Sequence, residues 1–172
     1  MNYCFECGTQ LSLKETAEDG DVPFCAQCQI LRFPIFSTAI STAVLNPRMN
    51  KILLLQQTNR NDFILLAGYV GKGENAEDTL VREVREEVGL NVVAYEFMRS
   101  RYFERTNTLM LNFISVADSE DVSQVNSEVE KAVWFSLEDA LTTIKDGSLA
   151  KTFLLAIVEK IRLGTHHLNY VA

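Results

Sequence analysis

The sequence predicts an α/β fold of the α+β kind, a mixed sheet with helices on both faces, preceded by a small metal-bound ribbon. Three observations lead there. All four cysteines fall within the first 28 residues, as two Cys-x2-Cys pairs separated by 17 residues. Segments with strand patterning are interrupted by one amphipathic helix and followed by two more, an order that covers a sheet on both sides. A length of 172 residues allows one ordinary domain plus a small piece. The expected division is a ribbon over 1–33 and a main domain over 34–172. A hydrophobic content of 47% with 23% charged residues is that of a globular chain with a sizeable core. No apolar run approaches the length of a membrane span and MNYCFECG has no signal-peptide core, so the expectation is a cytoplasmic protein with no membrane partner. The formal net charge of −7 argues against an extended nucleic-acid surface.

In chain order, Cys4, Cys7, Cys25 and Cys28 have the spacing of a tetrahedral Cys4 zinc site. The alternative, two disulfides, is disfavoured by the missing secretion signal and by the cysteine-free remainder. The segment between the pairs is polar, so Zn²⁺ would supply much of its folding free energy. Four thiolates close the coordination shell, which points to a structural ion. Pro34 marks the junction, and Phe33 beside it reads from spacing as a packing residue.

Ile35 to Leu45 alternates and is rich in β-branched and small residues, which predicts a strand. Asn46 to Asn50 is turn chemistry, and Lys51 to Gln57 completes a hairpin. Phe63 to Leu66 is a short buried strand running into Ala67-Gly68. Asn75 is an N-cap and Gly89 a C-terminal stop for a helix whose Leu80, Val84 and Val88 form a buried stripe. Val92 to Tyr102 and Thr108 to Ala117 are strands joined by a polar connection, and Lys131 to Phe135 is another. Ser136 caps a helix running to about Lys145. Ser148 caps a last one, with Phe153, Leu154, Ile157, Val158 and Ile161 inward and Gly164 at its end. The tail THHLNYVA reads as terminal residues, its two histidines included.

The stretch GYVGKGENAEDTLVREVREEVGL, residues 68 to 90, carries the chemistry. Glu83, Glu86 and Glu87 lie three and four apart, so three like charges crowd one helix surface. A solvated glutamate-rich face, with Arg82 and Glu86 as an i,i+4 pair, is one reading; a hard divalent cation, Mg²⁺ or Mn²⁺, is the other. The whole pattern resembles the Nudix box, G-x5-E-x7-R-E-U-x-E-E-x-G-U with U aliphatic, and matches all nine specified positions. That resemblance implies an α/β/α sandwich and metal-dependent hydrolysis of a nucleoside diphosphate linked to a further group. It implies Glu83 and Glu87 as metal ligands, Glu86 as the next ligand or the base that deprotonates the water, Glu74 as an auxiliary residue, Arg82 as the group orienting the carboxylates, and the Ala67 carbonyl as a further ligand.

The chain is also similar to the NADH pyrophosphatase branch of this family, in the Cys4 ribbon, the Phe33-Pro34 junction, LAGYVGKGE at 66–74 and EVEKAVWF at 128–135. This implies Glu128 as a ligand or base, Phe33 stacked on a substrate base, Ala150 contacting it through its backbone, and a homodimer. Where that branch carries SQPWPFPxS, this chain has SRYFERTNT at 100–108. The change touches the choice of substrate and brings in Arg101, Tyr102, Phe103 and Arg105 as candidate substrate contacts, the arginines for a phosphate or a ribose phosphate. The leading expectation is a pyrophosphatase acting on a dinucleotide such as NAD(H) or ADP-ribose, with AMP as one product. The alternatives are a hydrolase of FAD, diadenosine polyphosphates or damaged nucleoside triphosphates, and a non-catalytic nucleotide sensor. The acidic balance argues against a large RNA footprint and leaves room for a short NAD-capped 5′ end.

Overall fold

The computed structural model describes residues 2–171, so the Met1 end of the expected ribbon and the Ala172 end of the tail lie outside the described residues. The chain forms two compact units, Met1–Phe36 and Ser37–Ala172.

In the first unit β1 (Ser12–Thr16), β2 (Gly20–Cys25) and β3 (Ile30–Leu31) form a three-stranded antiparallel sheet in the order β1-β2-β3. Its buried apolar residues are few, Cys4, Val22 and Cys25. Arg32 is buried too; its guanidinium pairs with Glu6 and lies 4.5 Å from the Phe5 ring centre. So small an apolar core cannot offset the chain entropy of ordering the unit, in line with a fold that depends on a cross-link.

The second unit contains β4 (Ser37–Leu45), β5 (Lys51–Gln57), β6 (Phe63–Ile64), β7 (Leu66–Tyr69), α1 (Ala76–Val88), β8 (Val92–Phe103), β9 (Thr108–Ala117), β10 (Val129–Ser136), α2 (Leu137–Thr143), α3 (Leu149–Leu163) and β11 (Asn169–Tyr170). The sheet order is β10-β5-β4-β9-β8-β11, with β6 on β5 and β7 on β4. The β4–β9 pair is parallel and the others antiparallel, so the sheet is mixed, as expected. A short 3₁₀ turn, Glu104–Thr106, joins β8 to β9.

Two apolar layers flank the sheet. On one face Leu80, Val84 and Val88 of α1 are fully buried against Ile40, Val44 and Phe113. On the other, Phe153, Leu154, Ile157 and Val158 of α3 and Ala140 of α2 cover Ala43, Leu45, Ile52, Leu54 and Ile114. Each such aliphatic side chain contributes roughly 1.5–3 kcal/mol on leaving water. The caps fall at the expected residues. Ser136 Oγ accepts the Asp139 N–H at 3.1 Å, Ser148 Oγ accepts the Lys151 N–H at 3.0 Å, and Gly89 and Gly164 are left-handed. Asn75 departs in detail: its backbone is extended as an N-cap requires, but its side-chain amide donates to Asp78 Oδ2 at 3.0 Å instead of its side chain accepting a helix N–H.

Three differences from the sequence reading have physical causes. Phe63 to Leu66 is two strands, because β6 pairs with β5 while Leu66 onward pairs with β4. The tail is ordered: β11 adds to β8, buried Glu96 pairs with Lys160, and Glu96 Oε2 accepts the His167 N–H at 2.9 Å. A buried carboxylate needs such partners, and neither partner is near Glu96 in sequence. Third, β8 carries a bulge: Phe97 lies opposite Phe113 but Arg99 lies opposite Asn112, so Met98 is the extra residue.

Leu80→Ala should destabilise the second unit by about 2–5 kcal/mol, because it empties a fully buried site under α1. Urea unfolding measures this directly, and a change below about 1 kcal/mol would refute the packing described.

Candidate active site and metal centres

The segment from β7 into α1 builds a cluster around one guanidinium. Arg82 Nε donates to Glu74 Oε1 at 2.7 Å and Nη2 to Glu74 Oε2 at 3.0 Å, a two-pronged pair. Arg82 Nη1 donates to Glu83 Oε1 at 2.9 Å and to Glu86 Oε2 at 3.0 Å, and Nη2 also reaches the Tyr69 carbonyl at 3.3 Å. Glu74 Oε2 further accepts the Gly71 N–H at 2.8 Å and the Thr79 hydroxyl at 3.1 Å. The Arg82 bonds, then the Gly71 N–H, pull the Glu74 pKa down to about 2, and in return Glu74, ahead of Glu86 and Glu83, pushes that of Arg82 up.

Glu83 folds back onto β7. A Cβ added at Gly68 would come 2.0 Å from Glu83 Cδ, so only glycine leaves room for the carboxylate against the strand. Glu87, one turn on, is buried at 9% exposure. Burial first, and then the charges of Glu83 and Glu128, push its pKa up to about 7. Glu128 itself is exposed, in the turn before β10. The structure therefore brings Glu74, Arg82, Glu83 and Glu86 into one hydrogen-bonded cluster, with Glu87 adding negative charge between Glu83 and Glu128. A donor set of hard oxygens carrying more negative charge than its one arginine neutralises fits a divalent cation.

On the other side of β7 lies a cavity of about 480 Å³. Successive strand residues point to opposite faces, so Gly68 turns to Glu83 while Ala67 lines the cavity. Ser41, Asn112 and Arg99 follow Ala67 in one row across β4, β9 and β8, and all three line the cavity. Met110 and Arg101 belong to the next row. Phe103, Ala150 and Phe153 complete the wall with Leu65. The β8 bulge decides this lining. Tyr95 and Phe97 pack edge-to-face on Phe113, on the α1 side. The extra residue reverses the alternation and turns Arg99, Arg101 and Phe103 to the α3 side, and the Asn112 side-chain amide donates to the Arg99 carbonyl at 3.3 Å.

Of the substrate contacts expected from sequence, Arg101, Phe103 and Ala150 line this cavity. Tyr102 does not; it stands on the opposite face of β8, and its hydroxyl donates to Asn107 Oδ1 at 2.6 Å. Arg105 sits exposed in the 3₁₀ turn and is not among the lining residues. Phe33 belongs to the first unit and its ring is exposed, against the packing role read from spacing. Arg99, Asn112 and Ser41 were missed. Their signal, alternation along β8 and β9, is legible only once the bulge is known.

In the first unit the four cysteine sulfurs all lie within 4.8 Å of one another, and none is in a disulfide. Cys7 and Cys25 are 3.4 Å apart and Cys4 and Cys28 4.0 Å. Tetrahedral zinc with bonds of about 2.3 Å sets its sulfurs about 3.8 Å apart, so the geometry fits. Among the described residues these four form the one group of three or more His, Cys, Asp or Glu ligand atoms gathered so closely.

Two tests follow. Gly68→Ala should keep the fold, since the side chain it meets can swing away, but should weaken Mn²⁺ binding about 10- to 100-fold by displacing Glu83; titration calorimetry checks this, and unchanged affinity refutes it. In chelator, the Glu87 carboxyl is held protonated in the folded state, up from 4.5 to about 7. The native state then binds more protons than the unfolded chain between these values, so metal-free stability should fall as pH rises through that window. Thermal midpoints across it should show the fall in the wild type and a flatter profile in Glu87→Gln.

A NUDIX domain model matches residues 36–155. The NAD-capped RNA hydrolase NudC of Pseudomonas aeruginosa is 34% identical over 138 residues, covering 79% of this chain and 48% of that protein. The NudC of Pseudomonas putida is 31% identical over 167 residues, covering 94% and 57%. The chain thus spans about half the length of the curated relatives it matches. Among solved structures, a NUDIX hydrolase from Nitrosomonas europaea has a TM-score of 0.68 at 18% identity, covering 95% of this chain and 94% of that one. The NUDIX domain of Shewanella oneidensis NrtR, complexed with ADP ribose, has a TM-score of 0.60 at 17% identity, covering 83% and 94%. With the box helix, its glycine-backed glutamates and the α/β/α layering described above, these matches establish that the chain belongs to the NUDIX family.

Proposed function

We propose that this chain hydrolyses a pyrophosphate bond in a nucleoside diphosphate derivative, with dinucleotides such as NAD(H) or ADP-ribose as the first candidates and AMP as one product. The observation that carries this reading is the shared strand. β7 presents Gly68 to the carboxylate cluster and Ala67 to the 480 Å³ cavity, so one short segment separates a charge-handling side from a nucleoside-sized apolar side. The names of the relatives and of the ADP-ribose complex point to the same substrate class.

Glu83, Glu86 and Glu87, with Glu128 and the Ala67 carbonyl, would hold Mg²⁺ or Mn²⁺. A divalent ion there supplies positive charge opposite the pyrophosphate oxygens and acidity for the attacking water. Arg82 fixes the carboxylates: its fork on Glu74 anchors the guanidinium and its Nη1 sets Glu83 and Glu86. Exposed Glu86 and Glu128, the carboxylates open to solvent, are the candidates for accepting the water's proton. The cavity's apolar wall would take the nucleoside and exclude water around it. Cys4, Cys7, Cys25 and Cys28 would hold a structural Zn²⁺. The division into ribbon and catalytic domain, the cytoplasmic location and a homodimer belong to the same reading. The activity for which the NudC relatives are named favours a second substrate, an RNA with an NAD cap, whose cap would occupy the same cavity.

Turnover of NADH, NAD⁺, ADP-ribose, FAD, a diadenosine polyphosphate, nucleoside triphosphates and an NAD-capped oligonucleotide, with products identified, tests the proposal. NMN(H) or ribose phosphate appearing with AMP is the expected result, and Glu87→Gln should lower kcat at least about a hundredfold with the fold intact. Wild-type turnover in that variant removes Glu87 from the metal site. No turnover of any substrate favours a nucleotide sensor. Metal analysis should find one zinc per chain, lost in Cys25→Ser.

A further inference from the structure

Resting on that reading, we infer that Arg99 and Arg101 make the cavity selective for nucleotides carrying an additional phosphate on the ribose. Both guanidinium-bearing residues line the cavity because the bulge at Met98 turns them there. Among the described residues neither forms a salt bridge, although the chain has 23 acidic against 16 basic side chains. Both are exposed, like Arg48, Arg60, Arg85 and Arg105, which also form no salt bridge among the described residues; what sets Arg99 and Arg101 apart is that they stand together on the cavity wall, where a bound anion would meet both. Two residues apart on one strand, their stems lie about 7 Å apart, close enough for both planar forks to close on one tetrahedral phosphate. Leu65, Met110 and Phe153 give the same cavity an apolar wall for the nucleoside beside the two cations.

Position separates this anion from the scissile one. The row Ala67–Ser41–Asn112–Arg99 crosses three strand intervals, about 14 Å. An extended arginine side chain spans roughly half of that row, so a guanidinium reaching back from β8 meets a phosphate carried one sugar away from a pyrophosphate held at Ala67. An arginine near the ribose is how other nucleotide-binding folds accommodate a 2′-phosphate.

Two measurements test this. Calorimetry compares AMP with adenosine 2′,5′-bisphosphate and adenosine 3′,5′-bisphosphate, product-like ligands that need no hydrolysis. At least one bisphosphate should bind about tenfold or more tighter than AMP, and which one wins tells a 2′- from a 3′-phosphate. The preference should vanish in R99M/R101M, whose thermal midpoint serves as the control for folding. The matched substrates NADPH and NADH should show the same sense in the ratio of kcat/KM if the 2′ position is read. Equal binding of AMP and both bisphosphates by the wild type, or a preference that survives in R99M/R101M, overturns the inference. Bisphosphate preference without any hydrolysis would instead sustain it and refute the proposed activity; hydrolysis of NADH with no bisphosphate preference does the reverse.

Discussion

One guanidinium holds the catalytic end of this protein together. Arg82 donates to three carboxylates and a backbone carbonyl, and it does so from the helix that carries two of those carboxylates. Without it Glu74, Glu83 and Glu86 would repel one another across a single helix turn or two. Glu74 lies before the helix and Tyr69 on β7, so the same side chain also ties strand, loop and helix. The arrangement leaves Glu87 outside the neutralised set, buried and beside like charges. That imbalance is a poor choice for stability alone, and its sense comes from what a cation would contribute.

The sheet links this end to the cavity. β7 is four residues long and pairs only with β4, yet its alternation points one glycine at the carboxylates and one alanine into the cavity. Rigid rows across β4, β9 and β8 then carry the spacing from the box to the far arginine wall. Residues on strands hold such distances better than loop residues do.

Much of this was legible in the sequence, for physical reasons. Helix α1 announced itself through a four-residue apolar stripe and a glycine stop, and Leu80, Val84 and Val88 are all fully buried. The four cysteines, which spacing alone grouped, have gathered sulfurs. What was illegible depends on long-range pairing. No local pattern tells that the tail docks on Glu96, because the carboxylate's partners lie 64 and 71 residues away. Helical spacing does separate Glu87 from Glu86: Glu87, seven residues after Leu80 and three after Val84, falls on the apolar stripe and is buried, while Glu86 lies farther round and is exposed. Substrate contacts expected at Tyr102 and Arg105 fail as cavity residues for a related reason. The expectation took a contiguous segment, whereas a strand offers every second residue and the bulge chooses which set.

That bulge has a consequence for how the cavity can change. Met98 is one residue inserted between two registers. Its removal would leave the arginines where they are: Phe97 already lies opposite Phe113 on the α1 side and Arg99 opposite Asn112 on the α3 side, so the two joined directly alternate correctly. Loss of one residue beyond the bulge is different. Without Ser100, Arg101 would follow Arg99 directly and turn to the α1 side, taking one of the two cations off the cavity wall. In this protein the effect of a single-codon deletion on the cavity therefore depends on whether it falls at Met98 or after it.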